Sequence, residues 1–217
     1  MSAGPELELA RACYVRPTPR GVQRAVRDAT HDEIDGLILR LLEEPATPWL
    51  DVTTLEAVTG AEPAHAALAL VHAAQEAGAI EGVERPDAEP GQLAATLPGL
   101  LAGVAPGGTA LLVGPDGAPL ASIGLAGDEP ARLAVIGAAL ANAATRALET
   151  AVVPAAVSDG WGGALVDPVG VTTIGAWPLH IGGSRLLIVV AGLPRFDHGS
   201  FTSLVWALVR HLAAAPR

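Results

Sequence analysis

The 217-residue chain is half apolar, carries a formal charge of −10 and contains one cysteine, which excludes a chain dominated by disorder, an internal disulfide and a cysteine-built zinc site. Its apolar residues are mostly Ala, Leu and Val, broken every few positions by Gly, Pro or charge, so no run approaches the roughly 20 residues that span a bilayer. Every basic side chain is Arg, as in a GC-rich bacterial genome; the first dozen residues hold Glu6 and Glu8 in place of a secretory signal, and a cytoplasmic location is expected.

The charge is unevenly spread. Residues 1–30 hold five Arg (Arg11, Arg16, Arg20, Arg24 and Arg27) against three acids, residues 31–90 two Arg against thirteen acids, and the remainder six against seven. Residues 1–29, with the Pro-broken Arg16-Pro-Thr-Pro-Arg20 stretch, read as a partly helical arm. Its arginines either bind an anion or lie against the acidic segment that follows, and charge complementarity favours the second.

Thr30-His-Asp-Glu33 fits a capping box, and Ile34, Leu37, Ile38, Leu41 and Leu42 then recur at helical spacing until Pro45. A second helix follows an Asp51 or Thr53 cap, carries Leu55 and Val58 and ends at Gly60. A third opens at Glu62-Pro63, turns Ala64, Leu68 and Val71 inward and ends at Gly78, before a short strand at Ile80–Val83. This order over residues 30–85 resembles a winged helix-turn-helix domain. A DNA-reading third helix needs basic or amide groups toward phosphates and bases, whereas Ala64–Ala77 offers His65, His72, Gln75 and Glu76 with no Arg. The expectation is therefore a protein-binding or packing module and no nucleic-acid partner.

The polar, turn-rich residues 86–91 read as a linker. Beyond it the pattern predicts a helix over Leu93–Val104 kinked at Pro98, a hairpin of Thr109–Val113 and Ala118–Ile123 around Gly-Pro-Asp-Gly117, and a long helix from Asp128 or Glu129 to about Thr150. Strands are expected at Ala155–Ser158, Trp161–Val166, Val171–Pro178 and Arg185–Ala191, then a last helix after Ser200 with Phe201, Leu204, Val205, Leu208 and Leu212 on one face. The fold class is α+β, with an N-terminal winged-helix-like helical domain and a C-terminal antiparallel sheet covered by helices over residues 92–217.

Ala110-Leu-Leu-Val-Gly-Pro-Asp-Gly-Ala-Pro-Leu-Ala-Ser122 and the Ala-rich helix Arg132–Leu148 make the C-terminal half similar to the Roadblock/dynein light chain family. That resemblance implies side-by-side homodimers through the second helix of the domain and an edge strand, and a regulatory or scaffolding role toward a small Ras-like GTPase. The stretch from Val171 through Trp177-Pro-Leu-His-Ile-Gly-Gly-Ser184 to Phe196-Asp is also similar to the end of a GAF domain. This alternative implies a ligand-sensing transcription regulator with a pocket lined by Trp161 and Trp177.

No chemistry assembles from the sequence. The Gly-rich spots lack the Gly-Lys-Ser/Thr of a phosphate loop, and the chain has no Lys. His65 and His72 stand about 10 Å apart by helical rise, too far for one metal ion without intervening ligands. Ser184 with His180, or Ser200 with Asp197 and His198, read more simply as turn and helix-cap residues than as nucleophiles. No catalytic, metal or cofactor-binding residue is expected, and the chain is read as a non-enzyme. Interface candidates are a small-residue strip of Ala134, Gly137, Ala138, Ala141 and Ala144, which would let a second backbone approach or equally pack on the domain's own sheet, and Trp206, which points away from the apolar face of the last helix toward either a partner or the N-terminal domain.

Overall fold

In the computed structural model the described residues are 11–150 and 161–214, so the Ala155–Ser158 strand expectation lies outside them. The chain is mixed α and β, with two antiparallel sheets.

The first sheet has the order β2-β1-β3. Its central strand, β1 (Cys13–Pro17), pairs Tyr14 to Pro17 with Val83 to Ile80 of β3 (Ile80–Val83) and Cys13 and Tyr14 with β2 (Trp49–Leu50). The helix α1 (Pro19–Arg27) follows at once. Residues 13–27 are thus a strand and a helix of the folded body, where an arm was expected. The prolines permit this because Pro17 ends the strand and Pro19 sits in the first helical turn, where a missing N–H costs nothing. Thr18 Oγ1 caps α1 by accepting from Gly21 N at 3.1 Å, and donates to the Gly78 carbonyl at 2.6 Å. Gly21 must be Gly because α1 passes so close to the Ala79 carbonyl that a Cβ would overlap it.

The helix α2 (Glu33–Glu43) is capped two residues later than the sequence suggested, by Asp32, whose carboxylate accepts from Asp35 N while Asp35 accepts from Asp32 N. Leu37, Ile38, Leu41 and Leu42 are buried as their spacing requires. After α3 (Leu55–Thr59), the helix α4 (Ala64–Glu76) buries Ala67, Leu70, Val71 and Ala74, while Ala64 is exposed and Leu68 only half-buried. The inward face is rotated from the expected one because packing against α2 and α3 selects it.

The second sheet has the order β5-β4-β8-β7-β6, built from β4 (Ala110–Val113), β5 (Pro119–Ile123), β6 (Gly163–Val166), β7 (Thr172–Ile181) and β8 (Ser184–Ala191). The helices α5 (Leu93–Val104) and α7 (Gly199–Ala214) cover one face, packed with Leu112, Leu179, Ile188 and Val190. The helix α6 (Glu129–Thr150) covers the other, over Leu111, Val113, Ala176, Leu187 and Val189. Alternation along β4 and β8 sends successive residues to the two faces, which is why both strands read as continuous apolar runs.

The core does not stop at residues 86–91. One apolar cluster joins Val22, Ala25, Val26, Ile38 and Leu42 to Leu179, Ile181, Leu204 and Leu208, and α1 packs on both β7 and α7. The 86–91 stretch is itself tied down: Thr47 N donates to Asp87 O at 2.9 Å and Glu89 N to Pro45 O at 3.1 Å.

Candidate functional site

The small-residue strip on α6 faces its own sheet. Ala134, Gly137 and Ala141 are buried, Ala144 is half-buried, and only Ala138 is exposed. Gly137 lies so close to Val189 that a Cβ would overlap its Cγ2, and Gly163 of β6 sits against Ala144 and Leu140. The small residues let the helix approach the sheet, the second of the two roles that the sequence pattern left open.

Trp206 likewise has an internal neighbour. It is 6 % exposed, and its Nε1 donates to the Glu44 carbonyl at 2.9 Å at the end of α2. One turn on, Arg210 donates from Nη1 to Glu43 O at 2.6 Å and pairs through Nε with Glu89 at 3.1 Å. The Trp that points away from one core face belongs to the junction between the N-terminal and C-terminal parts.

The outer side of α6 carries what the strip does not. Val135 is 71 % exposed and Ile136 47 %, with Ala139 and Ala143 beside them. Ile136 stands one turn before Leu140, whose side chain lies over Gly163 of the edge strand β6. On β6, Leu165 pairs with Ile174, which packs in the α6-side cluster, so Leu165 shares that face and is 49 % exposed. Ile136, Leu140 and Leu165 together make an apolar strip between helix and sheet edge. An i, i+4, i+7 search along α6 finds Ile136, Leu140 and Ala143, but nothing in the sequence says that the smaller residues win the inside.

Comparison with protein-family models, with curated proteins and with solved structures finds no match.

Arg16, Arg24 and Arg27 of the N-terminal segment lie against acids. Arg16 pairs with Glu81 at 2.8 Å and Asp87 at 2.6 Å, Arg24 with Asp35 at 2.8 Å and with Asp32, and Arg27 with Asp28 at 2.9 Å. An open cleft of about 690 Å³ runs beside Arg20, Arg24 and Arg27, but Asp28, Asp32 and Asp35 line it too and cancel their charge. Among the described residues no three His, Cys, Asp and Glu side chains gather as metal ligands, and His65 and His72 are both exposed on α4.

His198 Nδ1 and Ser200 Oγ are 3.0 Å apart, and the same nitrogen accepts from Ser200 N at 3.2 Å. That is a helix-start contact between near neighbours in sequence. Ser184 and His180 stand one register step apart at the tip of the β7–β8 hairpin, with no hydrogen bond between them. Cys13 lies in β1 with its Sγ against Gly82, as a packing residue. Trp161 and Trp177 both pack on Phe196, tilted and edge-on, at 4.8 and 5.4 Å between ring centres, and Trp161 Nε1 donates to Pro178 O at 2.6 Å.

His180 sits beside Arg185, with Asp28 and His31 arriving from the loop after α1 and Asn142, Thr145 and Arg146 from α6. Partial burial and then the Arg185 charge hold its imidazole below the ordinary histidine range; Asp28 pulls the other way, and His31 adds the smallest push downward. The folded state therefore favours the neutral ring and binds fewer protons than the unfolded chain. The stabilising contribution is complete above about pH 6.5 and is lost as pH falls from there through the lower folded value. Urea midpoints measured from pH 7.5 downward should fall less steeply for His180→Gln than for the parent; parallel curves would refute the assignment.

Proposed function

We propose that the chain is a non-enzymatic regulatory or scaffolding protein that pairs with a second copy of itself and engages a signalling partner, the class implied by its likeness to Roadblock domains being a small Ras-like GTPase. Support comes from the C-terminal order α5, β4, β5, α6, β6, β7, β8, α7, which is the helix, two strands, helix, three strands, helix sequence of that resemblance. The observation that carries the pairing is the apolar strip of exposed Ile136 and Leu165 with half-buried Leu140, beside β6, which is the last strand of the sheet among the described residues. Exposed apolar side chains grouped beside a strand that is at the sheet edge among the described residues are what a protein-protein contact removes from water.

The N-terminal part suits the same reading. The order α2, β2, α3, α4, β3 is similar to that of a winged helix, although the central strand β1 comes from the preceding segment. The outward side of α4 presents His65, His72, Gln75 and Glu76 without any Arg, which favours a protein contact over DNA. A GAF-like sensor has less support, because Trp161 and Trp177 fill space against Phe196.

The pairing is tested by light scattering and sedimentation at tens of micromolar. The parent should be a dimer, and Ile136→Glu with Leu165→Glu should weaken it on the order of 100-fold while leaving the circular dichroism spectrum unchanged. A monomeric parent, or a double variant that still pairs, would sink the proposal.

A further inference from the structure

A cleft of about 420 Å³ opens between the C-terminal half of α6 and the β7–β8 hairpin. Asn142, Thr145 and Arg146 line it from the helix, and Pro178, His180 and Arg185 from the strands. None of them belongs to the strip of Ile136, Leu140 and Leu165. No carboxylate among the described residues lines it, although the chain as a whole carries a charge of −10. We propose that this cleft binds the phosphoryl group of a small phosphorylated molecule.

Donors converge there without acceptors to match them. Arg185 donates from Nη1 to Asn142 Oδ1 at 3.1 Å, so an amide orients its guanidinium and leaves the charge uncompensated. Its remaining N–H groups keep the planar fork that takes a phosphoryl group through two parallel bonds. The side-chain NH2 of Asn142 adds donors on the same side. The Thr145 hydroxyl gives its proton to Ala141 O at 3.0 Å and serves as wall. The larger cleft beside Arg20 differs in this respect, because Asp28, Asp32 and Asp35 match its arginines.

His180 shows the same excess of positive charge. The groups around its half-buried ring are Arg185 from β8, Arg146 from α6, and Asp28 and His31 from the loop after α1, and Asp28 itself pairs with Arg27 at 2.9 Å. Burial and Arg185 favour the neutral ring in the free protein. A dianion held by Arg185 reverses that balance and draws a proton onto the ring, which then adds a charged donor. Affinity for the anion therefore rises as pH falls through the His180 titration. The cleft is larger than a lone tetrahedral ion and leaves room for the organic part of the ligand.

The test is an NMR titration of the full chain with sodium sulfate, a dianion throughout the range, against sodium chloride of equal ionic strength, at about pH 6 and about pH 7.5. Sulfate should give saturable shifts at the Arg185 Nε–H and the Asn142 side-chain amide, with a dissociation constant on the order of millimolar. It should raise the His180 pKa and bind about threefold more tightly at the lower pH. Chloride should do neither. Methyl phosphate should bind at least as tightly as sulfate at the higher pH. Arg185→Gln should weaken binding about tenfold, whereas Arg195→Gln, which removes the same charge from another exposed position, should leave it unchanged. Shifts that only track ionic strength, a His180 pKa that sulfate does not move, rejection of methyl phosphate, or equal weakening by the two variants overturns the proposal.

Discussion

Ala141→Glu is expected to unfold the chain rather than to separate two copies of it. Ala141 is 1 % exposed and lies on the sheet among Leu111, Val113, Ala176, Leu187 and Val189, none of which offers a partner to a carboxylate. A carboxylate there either stays ionised without a counter-charge or takes up a proton, and in both cases extra volume is forced into a close-packed layer. The cost is about 3–5 kcal/mol, against a total stability on the order of 5–15 kcal/mol for a domain. Ala138→Glu, three residues away on the same helix but facing solvent, should change stability by no more than about 0.5 kcal/mol. Urea unfolding of both variants checks this. An Ala141→Glu protein as stable as Ala138→Glu would mean that the helix does not lie on the sheet through this face.

Trp206→Ala should cost about 3–5 kcal/mol, and Trp206→Phe about 1–2 kcal/mol. The larger loss follows from emptying the space between α7 and the end of α2, where the indole is almost wholly buried. Phe keeps most of the packing and leaves only the Glu44 carbonyl without its donor. Because the core runs without a break from Ile38 and Leu42 to Leu204 and Leu208, both parts should melt in one transition in the parent. Near-ultraviolet dichroism and amide exchange followed along the same urea series measure this. Separate unfolding of the N-terminal part in the parent, or a Trp206→Ala variant within about 1 kcal/mol of it, would contradict the shared core.

The two variants mark where sequence patterns stop being sufficient. Helix α2 is readable because Leu37, Ile38, Leu41 and Leu42 fall on one stripe between an acidic cap and Pro45, a local relation that any fold must respect. The β4–β5 hairpin is readable for the same reason, since Gly117 with φ 83° closes a turn that few other residues can form. The element order of the C-terminal half follows from these local signals.

What the sequence determined by itself is thus the set of periodic elements, the mixed α and β class, the acid-rich middle segment and the exclusion of an internal disulfide, a cysteine-built zinc site and a phosphate-loop lysine. The tertiary structure decided which surface each element shows. On α6, Gly137, Ala134 and Ala141 turned inward because the sheet admits a helix at that distance only through small side chains, leaving the larger Val135 and Ile136 outside. Residues 13–27 became a central strand and a buried helix because partners 35 to 69 residues away complete their hydrogen bonds, as in Tyr14 with Trp49 and Val83. Trp206 found Glu44 across 162 residues of chain. Contacts of that range depend on how all the elements pack at once, and no local spacing encodes them.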